Sequence, residues 1–284
     1  MMPEAKRNIR ARQDHYFSIY SAQLPVLGTR GQERLRESTV LVNGTGRVGT
    51  SVILALACAG VGHVIGRDPQ HVTIDSVNGS ILASEADLGR KKTHALERSL
   101  HHRPYFLFES ADTQVEFDRA YEQASLIVSA ANSVQARRDA VRHAIRLGKP
   151  LVDVAVLDGR RHLGGHVSIY QPANPAWFAC PACLYSPELS VAKGEGLLVP
   201  VVATLAGIAS VIIVQLLCGL SNEFLRLRNF FAVNLKEFRI EAMSVERRRS
   251  CEICSGRVRC DAEPTRAASA SRSRRQKTAQ HSSK

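Results

Sequence analysis

Two sets of residues in this 284-residue chain have types and spacings that could do chemistry. The first is a glycine loop, Gly44-x-Gly46-x-x-Gly49, which follows the apolar run Thr39–Asn43 and precedes a helix of small residues. In such loops the first glycine makes the tight turn, the second lets backbone approach phosphate, and the third lets the helix pack on its strand. Backbone N–H groups at the helix start then hold phosphate oxygens. The pattern predicts a site for a nucleotide phosphate.

An acid and an arginine complete this first set. Asp68 follows the second predicted strand, roughly 20 residues beyond the loop, where a carboxylate accepts hydrogen bonds from ribose hydroxyls. Arg47 stands inside the loop itself, so its side chain either contacts a phosphate or fills the place where one would lie. We therefore take Gly44, Gly46, Arg47, Gly49 and Asp68 as candidate nucleotide-binding residues.

The second set is two Cys-x-x-Cys pairs, Cys180 with Cys183 and Cys251 with Cys254. Each pair can supply two thiolates from one tight turn, and together they complete a tetrahedral site of four cysteine ligands with no open position, which is typical of structural zinc. Four reduced thiols, or a redox role for one pair, is the alternative. Three other cysteines do not join this set: Cys58 and Cys218 are expected to be buried in apolar helices, and Cys260 to lie in a basic tail.

The elements that position these residues alternate between strand and helix. Apolar runs predict strands at Thr39–Asn43, His63–Arg67, Tyr105–Ser110, Ser125–Ala130 and Pro150–Val156, and helical spacing predicts helices at Gly49–Ala59, Lys91–His101 and Ser133–Leu147. This alternation favours an α/β fold, a Rossmann-like and mostly parallel sheet with helices on both faces. Beyond Gly164 the runs "GGHVSIYQP" and "NFFAVNLKEFRIEAM" predict an antiparallel C-terminal extension.

Charge and hydropathy limit the classes of function. Half of the net charge of +12 lies in two polar segments, residues 1–15 and 261–284, which we expect to be disordered basic tails. No aromatic residues interleave with these charges, so nucleic-acid binding is not expected as the main function. The chain opens with no apolar signal segment, which favours a cytoplasmic location. The charge-free run from Leu197 to Leu220 is long enough to span a bilayer, but we expect a buried or subunit-interface helix and no membrane association.

From Tyr20 to Cys254 the chain resembles the ThiF/MoeB/HesA family, the bacterial relatives of ubiquitin-activating enzymes. The resemblance rests on the two cysteine pairs and on the runs "YSAQLPVLGTRGQERLRESTVLVNGTGRVG", "AGVGHVIGRDPQHVTIDS", "ADLGRKK" and "RLGKPLVDVAV". It implies a domain over residues 16–260, with a nucleotide-binding half at about 38–160 and a zinc-knuckle and partner-binding half at about 161–260. It also implies binding of ATP and Mg²⁺ and adenylation of the C-terminal glycine of a ubiquitin-like or sulfur-carrier protein.

The family's reactive residues are only partly present. Asp68 matches the ribose-binding acid and Lys92 the phosphate-facing lysine, so Lys92 joins the candidate nucleotide-binding residues. Arg137 keeps a family arginine that we expect to be structural. The family's other charged and polar residues at the reaction centre are replaced, with Ala22 and Gly79 in place of arginines, Gln70 and Asn132 in place of acids, Ser76 in place of asparagine and Ser80 in place of glutamine.

Three interpretations follow from this mixture. The first is a degenerate member, a pseudoenzyme that binds a ubiquitin-like or sulfur-carrier protein and acts as a non-catalytic or partner-dependent subunit, in a homodimer or with a related active subunit. The second is an active ATP-dependent adenylyltransferase whose site is rearranged, with Arg47 and Lys91 as substitute cations and Asp75 as a substitute acid. The third, an NAD-dependent oxidoreductase, is permitted by the glycine loop and Asp68 but disfavoured by the cysteine pairs.

Overall fold

The computed structural model describes residues 14–157, 162–174, 177–185, 197–220 and 223–255. The predicted tail at 261–284, Cys260 and all but two residues of the predicted arm at 1–15 lie outside these ranges. Those two residues, Asp14 and His15, belong to a helical segment at residues 14–19. Tyr16 of this segment is fully buried.

Eight strands form one sheet in the order β3-β2-β1-β4-β5-β6-β7-β8. Strands β1 to β5 are parallel, and β6, β7 and β8 add to the β5 edge as antiparallel neighbours, which confirms the predicted architecture. The strands are β1 Thr39–Asn43, β2 His63–Arg67, β3 Leu107–Ser110, β4 Leu126–Ser129, β5 Leu151–Val156, β6 Gly164–Tyr170, β7 Phe230–Asn234 and β8 Arg239–Met243.

The helices cover both faces of this sheet. In the described residues they include α1 Leu24–Glu37, α2 Arg47–Ala59, α3 Ile74–Gly79, α4 Lys92–Leu100, α5 Gln114–Gln123, α6 Val134–Leu147, α7 Val199–Cys218 and α8 Glu223–Arg226. Alternate residues of the strands point to opposite faces, so one core forms with α2, α4 and α7 and a second with α5, α6 and the four cysteines. Burial on both faces explains the apolar centres of β1, β2 and β4.

The order of the parallel strands places the glycine loop at a reversal of chain direction. Strand β1 lies between β2 and β4, so the chain moves outward on one side through β2 and β3 and returns to continue through β4 and β5. In open α/β sheets the crevice at this switch point, beyond the carboxyl ends of the strands, is where ligands bind. The loop that follows β1 opens into that crevice.

The starts of two predicted elements differ from the structure by two residues, for local reasons. The third strand begins at Leu107 rather than Tyr105, because Tyr105 has a φ of +60°, a left-handed conformation that cannot continue a strand. Helix α2 begins at Arg47 rather than Gly49, because Gly46 is the extended N-cap residue and the helical turn starts directly after it. The glycine pattern therefore extends into the helix, and Arg47 is a helical residue.

Helix α7 is the charge-free segment of the sequence. It packs against α1, α2, β5 and β6, and one side of it is buried in the first core. Its other side remains apolar and exposed, with Val211 58% accessible. By length and hydropathy it is the one helix among the described residues that could cross a membrane, and half of its most apolar window is buried inside the domain. This partial burial agrees with the expected core or interface helix.

Candidate functional site

The glycine loop is held in shape by close backbone approaches. Gly44 has a φ of +96°, and a Cβ placed on it would lie 2.6 Å from the backbone N of Ala131. A Cβ on Gly49 would lie 1.9 Å from the carbonyl oxygen of Gly44, so the helix start can rest on the turn only without a side chain there. A Cβ on Gly46 would meet no atom within 4 Å, so this residue borders open space. The three glycines thus divide as expected, two for packing and one for access.

This division predicts different costs for two matched substitutions. Gly49→Ala would push a methyl group against the backbone of Gly44, so we expect the free energy of unfolding to fall by about 1–3 kcal/mol or more. Gly46→Ala places the same methyl group in open space at an ordinary φ of −73°, so we expect a change within about 0.5 kcal/mol. Urea unfolding of both variants measures the difference, and equal effects would contradict the geometry of the loop.

Asp68 supports the loop directly. The carboxylate Oδ2 accepts a hydrogen bond from the backbone N of Thr45 at 2.9 Å, and Oδ1 accepts one from the backbone N of Gln70 at the same distance. The side chain is buried, at the carboxyl end of β2. The sequence correctly placed Asp68 beside the loop. Each carboxylate oxygen already accepts one hydrogen bond from a backbone N–H group, so a ribose hydroxyl would have to donate a second hydrogen bond to one of them.

Lys92 and Gln70 face each other at the same edge. The Nζ of Lys92 lies 2.8 Å from Oε1 of Gln70, which stands where the resemblance would place a second acid. Asn132, at the position of the other missing acid, is exposed just beyond Ala131, whose backbone packs on Gly44. The structure therefore brings both substituted positions close to the glycine loop, and neither offers a carboxylate.

The remaining cations near this edge are paired. The Nζ of Lys91 lies 2.8 Å from Oδ2 of Asp112, at the end of β3, and Nε2 of His94 lies at the same distance from that oxygen. Burial raises the pKa of Asp112, but the contacts with Lys91 and His94 outweigh it, so the net effect is a lowered pKa. Lys91 is therefore directed toward β3 rather than toward the loop.

Arg47 crosses from the loop to helix α3. Its Nη2 donates to the carbonyl oxygen of Asp75 at 3.0 Å and lies 3.4 Å from the Oδ2 of the same residue. The pKa of Asp75 is lowered, first by the hydroxyl of Thr73 that donates to Oδ1 and also by the charges of Arg47 and Lys92. The expected substitute cation and substitute acid are thus paired with each other.

The four cysteines of the two pairs converge on one point. Their sulfur atoms all lie within 4.8 Å of one another, with Sγ–Sγ distances of 3.9 Å for Cys180 to Cys183, 3.9 Å for Cys180 to Cys251 and 3.5 Å for Cys183 to Cys254. Disulfide sulfurs are about 2.05 Å apart, whereas four sulfurs at about 2.3 Å from a tetrahedral zinc ion are about 3.8 Å apart. All four are buried, so the residues present fit a closed structural zinc site.

Hydrogen bonding within this cluster lowers the pKa of one thiol, that of Cys183, and raises the pKa of another, that of Cys180. Donation from the thiols of Cys180 and Cys254 lowers the pKa of the Cys183 thiol, although burial opposes the shift. A thiolate is the form in which cysteine binds a metal. By contrast Cys58, expected to be buried, is exposed, because it lies on the side of α2 shared with the partly exposed Leu54 and Ala55 rather than with the buried Leu56. Cys218 is buried as expected.

Two residues that sequence reasoning missed tie the cysteine pairs together. The side-chain amide of Asn229 donates to the carbonyl oxygens of Ala179 and Val245, both at 3.0 Å, and its Oδ1 accepts from the backbone N of Val245 at 2.7 Å. Arg248 reaches from the second pair to the first, where its Nη2 donates to the carbonyl oxygen of Tyr185 at 3.1 Å. Asn229 directly precedes β7, a signal that is too common in turns to indicate this role.

A buried charged network lies between the cysteines and the sheet. The carboxylate of Asp153 accepts from Nη1 of Arg137 at 2.6 Å and from the hydroxyl of Tyr185 at 2.5 Å, and His166 Nε2 lies 3.1 Å from that hydroxyl. Burial lowers the pKa of His166, which keeps the ring neutral near pH 7. Arg137 is structural, as expected. Its partner was signalled by the lone acid in the apolar run "PLVDVAV", which sequence reasoning passed over.

Comparison with known proteins agrees with this geometry. A model of the ThiF family matches residues 20–254. A sulfur carrier protein adenylyltransferase of Thermus thermophilus is 29% identical over 171 residues, which cover 57% of this chain and 60% of that protein. The sulfur carrier protein ThiS adenylyltransferase of Escherichia coli is 24% identical over 253 residues, which cover 86% of this chain and 97% of that protein.

The fold is also that of a solved structure. The crystal structure of Escherichia coli MccB with ATP has a TM-score of 0.67 and 17% identity, and the match covers 89% of this chain and 82% of that one. At this identity the likeness concerns the fold alone. The described residues therefore share an architecture with a protein whose structure was solved with ATP.

Proposed function

Because this chain belongs to the ThiF family, we propose that it binds ATP at the glycine loop and a ubiquitin-like or sulfur-carrier protein beside it, as a non-catalytic or partner-dependent subunit. The observation that carries the proposal is the state of the acids around the loop. Asp68 holds two backbone N–H groups, Asp75 is paired with Arg47, and position 132 is an asparagine. These residues support nucleotide binding, but few of the acids that a reaction of the nucleotide requires are available.

Adenylation requires more than nucleotide binding. A carboxylate must attack the α-phosphate, so like charges are brought together, and cations and a metal ion held by acids must stabilise the transition state. A bound Mg²⁺ would neutralise phosphate charge, and Asn132 and Gln70 supply amide oxygens where carboxylates would hold it. The side chain of Lys92 donates to the side chain of Gln70, and the backbone N of Gln70 donates to Asp68. Lys92 therefore lies at the edge of the loop. These residues suit weak phosphate binding better than catalysis.

A second candidate is an active adenylyltransferase with a rearranged site. It is favoured by one observation, that Arg47 lies at the loop and fills the space beside Gly79, where the resemblance would place an arginine. It is disfavoured by the pairing of Lys91, the other expected substitute cation, with Asp112. The oxidoreductase interpretation loses its support, because the family assignment accounts for both the glycine loop and the cysteine pairs.

The partner side of the proposal uses the exposed side of α7. Val211 and the flanking Leu198 and Leu220 are all more than 40% accessible, although this helix carries no charged residue. Apolar surface of this kind marks protein interfaces. We therefore expect α7 to contribute to a homodimer or to a contact with a related active subunit, in a cytoplasmic setting that keeps the thiols reduced.

Restoring the acids tests the catalytic half of the proposal. For the double variant Gln70→Asp/Asn132→Asp, we expect ATP–pyrophosphate exchange in the presence of ThiS to rise at least about 10-fold, because single groups at such centres are commonly worth a factor of hundreds. The control Gln70→Asn/Asn132→Gln keeps both positions neutral and should stay at the wild-type level. Wild-type exchange as fast as that of the Escherichia coli relative would instead support the second candidate.

A further inference from the structure

The side chain of Arg47 occupies a cleft that exists because residue 79 is glycine. A Cβ placed on Gly79 would lie 1.9 Å from Nε and 2.4 Å from Cδ of Arg47. Any residue other than glycine at position 79 would have a Cβ atom that could not coexist with this position of the Arg47 side chain. The position of the Arg47 side chain at the start of α2 therefore depends on the glycine at position 79, at the end of α3.

The contact that holds Arg47 in this cleft is easily exchanged. The side chain of Asp75 is 70% accessible and that of Arg47 is 24% accessible, with 3.4 Å between Nη2 and Oδ2. Exposed ion pairs of this length stabilise a protein by only about 0.2–1 kcal/mol. A phosphate group, by contrast, accepts paired hydrogen bonds from a guanidinium group, which are among the stronger contacts in proteins. A phosphate near Arg47 would compete effectively with Asp75.

The loop places such a phosphate within reach. Gly46 borders open space, and Arg47 is the next residue, so phosphates beside the helix start lie one residue from the base of this side chain. A nucleoside monophosphate bound at the loop would end there, whereas a bound triphosphate would extend beyond it. Only the longer chain presents a terminal phosphate group to a side chain that leads away from the loop toward α3.

We propose that Arg47 is a latch that selects nucleoside triphosphates, paired with Asp75 in the free protein and transferred to the terminal phosphate when a triphosphate binds. The proposal rests on nucleotide binding at the glycine loop and adds its selectivity. Transfer also releases α3 from the loop, because the contacts of Arg47 with Asp75 and Gly79 join these two segments. Arg47 then acts as a binding residue, and Asp75 as a competitor for it.

Calorimetric titration with ATP and with AMP tests this latch in three variants. We expect Arg47→Ala to weaken ATP binding about 10-fold or more and AMP binding less than about 2-fold, because it removes a charged contact with the terminal phosphate alone. Asp75→Asn should strengthen ATP binding by up to about 5-fold, because the competing ion pair is removed. Gly79→Ala expels Arg47 from its cleft and should change ATP binding in the same direction as Asp75→Asn.

The outcomes separate the latch from the pocket. If Arg47→Ala weakens ATP and AMP equally, or strengthens ATP, the arginine does not select the terminal phosphate and the latch is wrong, although the pocket stands. If neither nucleotide binds the wild-type protein at millimolar concentration, nucleotide binding itself is wrong and the latch falls with it. Unchanged thermal unfolding in all three variants shows that the affinities report on binding rather than on folding.

Discussion

Replacing Cys251 by serine is expected to remove the bound metal and to lower the free energy of unfolding by more than about 4 kcal/mol, because binding to a structural zinc site contributes directly to folding. The four sulfurs are buried and lie at distances that suit tetrahedral zinc. Cys251 and Cys254 also join the segment after β8 to the first pair, across 67 intervening residues. Loss of the metal would release both segments from the second core.

Cys58 supplies the matched control for this prediction. It is also a cysteine, but it is exposed and lies outside the cluster. Cys58→Ser should leave the zinc content unchanged and alter the free energy of unfolding by no more than about 0.5 kcal/mol. Elemental analysis gives the zinc content, and urea unfolding gives the stability. A Cys251→Ser protein with full zinc content and wild-type stability would contradict the structural role of the cluster.

Replacing Asp153 by asparagine is expected to lower the free energy of unfolding by about 3–5 kcal/mol, because it leaves the buried charge of Arg137 without its partner. Burial opposes ionisation of Arg137, but the carboxylate of Asp153 and the hydroxyl of Tyr185 outweigh it and the pKa of Arg137 is raised. The network also fixes Tyr185, which follows directly on the first cysteine pair. Local loosening of that pair should accompany the loss of stability.

Two control variants, one in an exposed ion pair and one that removes both buried charges, test whether the unpaired buried charge causes the loss of stability. Asp139 pairs with Arg142 on the exposed side of α6, so Asp139→Asn should cost less than about 1 kcal/mol. Combining Asp153→Asn with Arg137→Met removes the unpaired charge and should recover part of the stability. Urea unfolding measures all four proteins. A loss from Asp153→Asn that is no larger than that from Asp139→Asn would show that the buried pair does not stabilise the fold.

Local patterns were sufficient to predict the frame of the site. The glycine spacing, the apolar strands and the acid after β2 each depend on residues close together in sequence, and the structure confirms their arrangement around β1. The two cysteine pairs are also local patterns, but they lie far apart from each other in the sequence. Because each pair makes a tight turn and a zinc site needs four ligands, their convergence could be predicted across 67 intervening residues.

Contacts between distant side chains could not be predicted in the same way. Many arginines in the sequence could have paired with Asp153, and only the packing of α6 on β5 selects Arg137. Likewise, the fit of Arg47 beside Gly79 depends on how α3 folds back over the loop. The family resemblance implies an arginine at position 79, where this chain has glycine, whereas the structure shows that a side chain there could not coexist with Arg47 as it stands.

Nucleotide binding and nucleotide chemistry depend on different residues of this site. The residues that shape the loop, Gly44, Gly49 and Asp68, are all in place. The positions that would hold a metal ion carry Gln70 and Asn132. A protein with this combination should bind ATP and leave it intact unless a related active subunit is present.

One single-turnover experiment tests this separation most directly. Excess zinc-loaded protein is mixed with a trace of α-labelled ATP, Mg²⁺ and ThiS, and the label retained by the protein is then recovered and identified. We predict that the label is retained and recovered as ATP, with retention lost in Asp68→Ala. Recovery as AMP or as adenylated ThiS would show that the chain is itself an active adenylyltransferase, and no retention would show that the loop does not bind ATP.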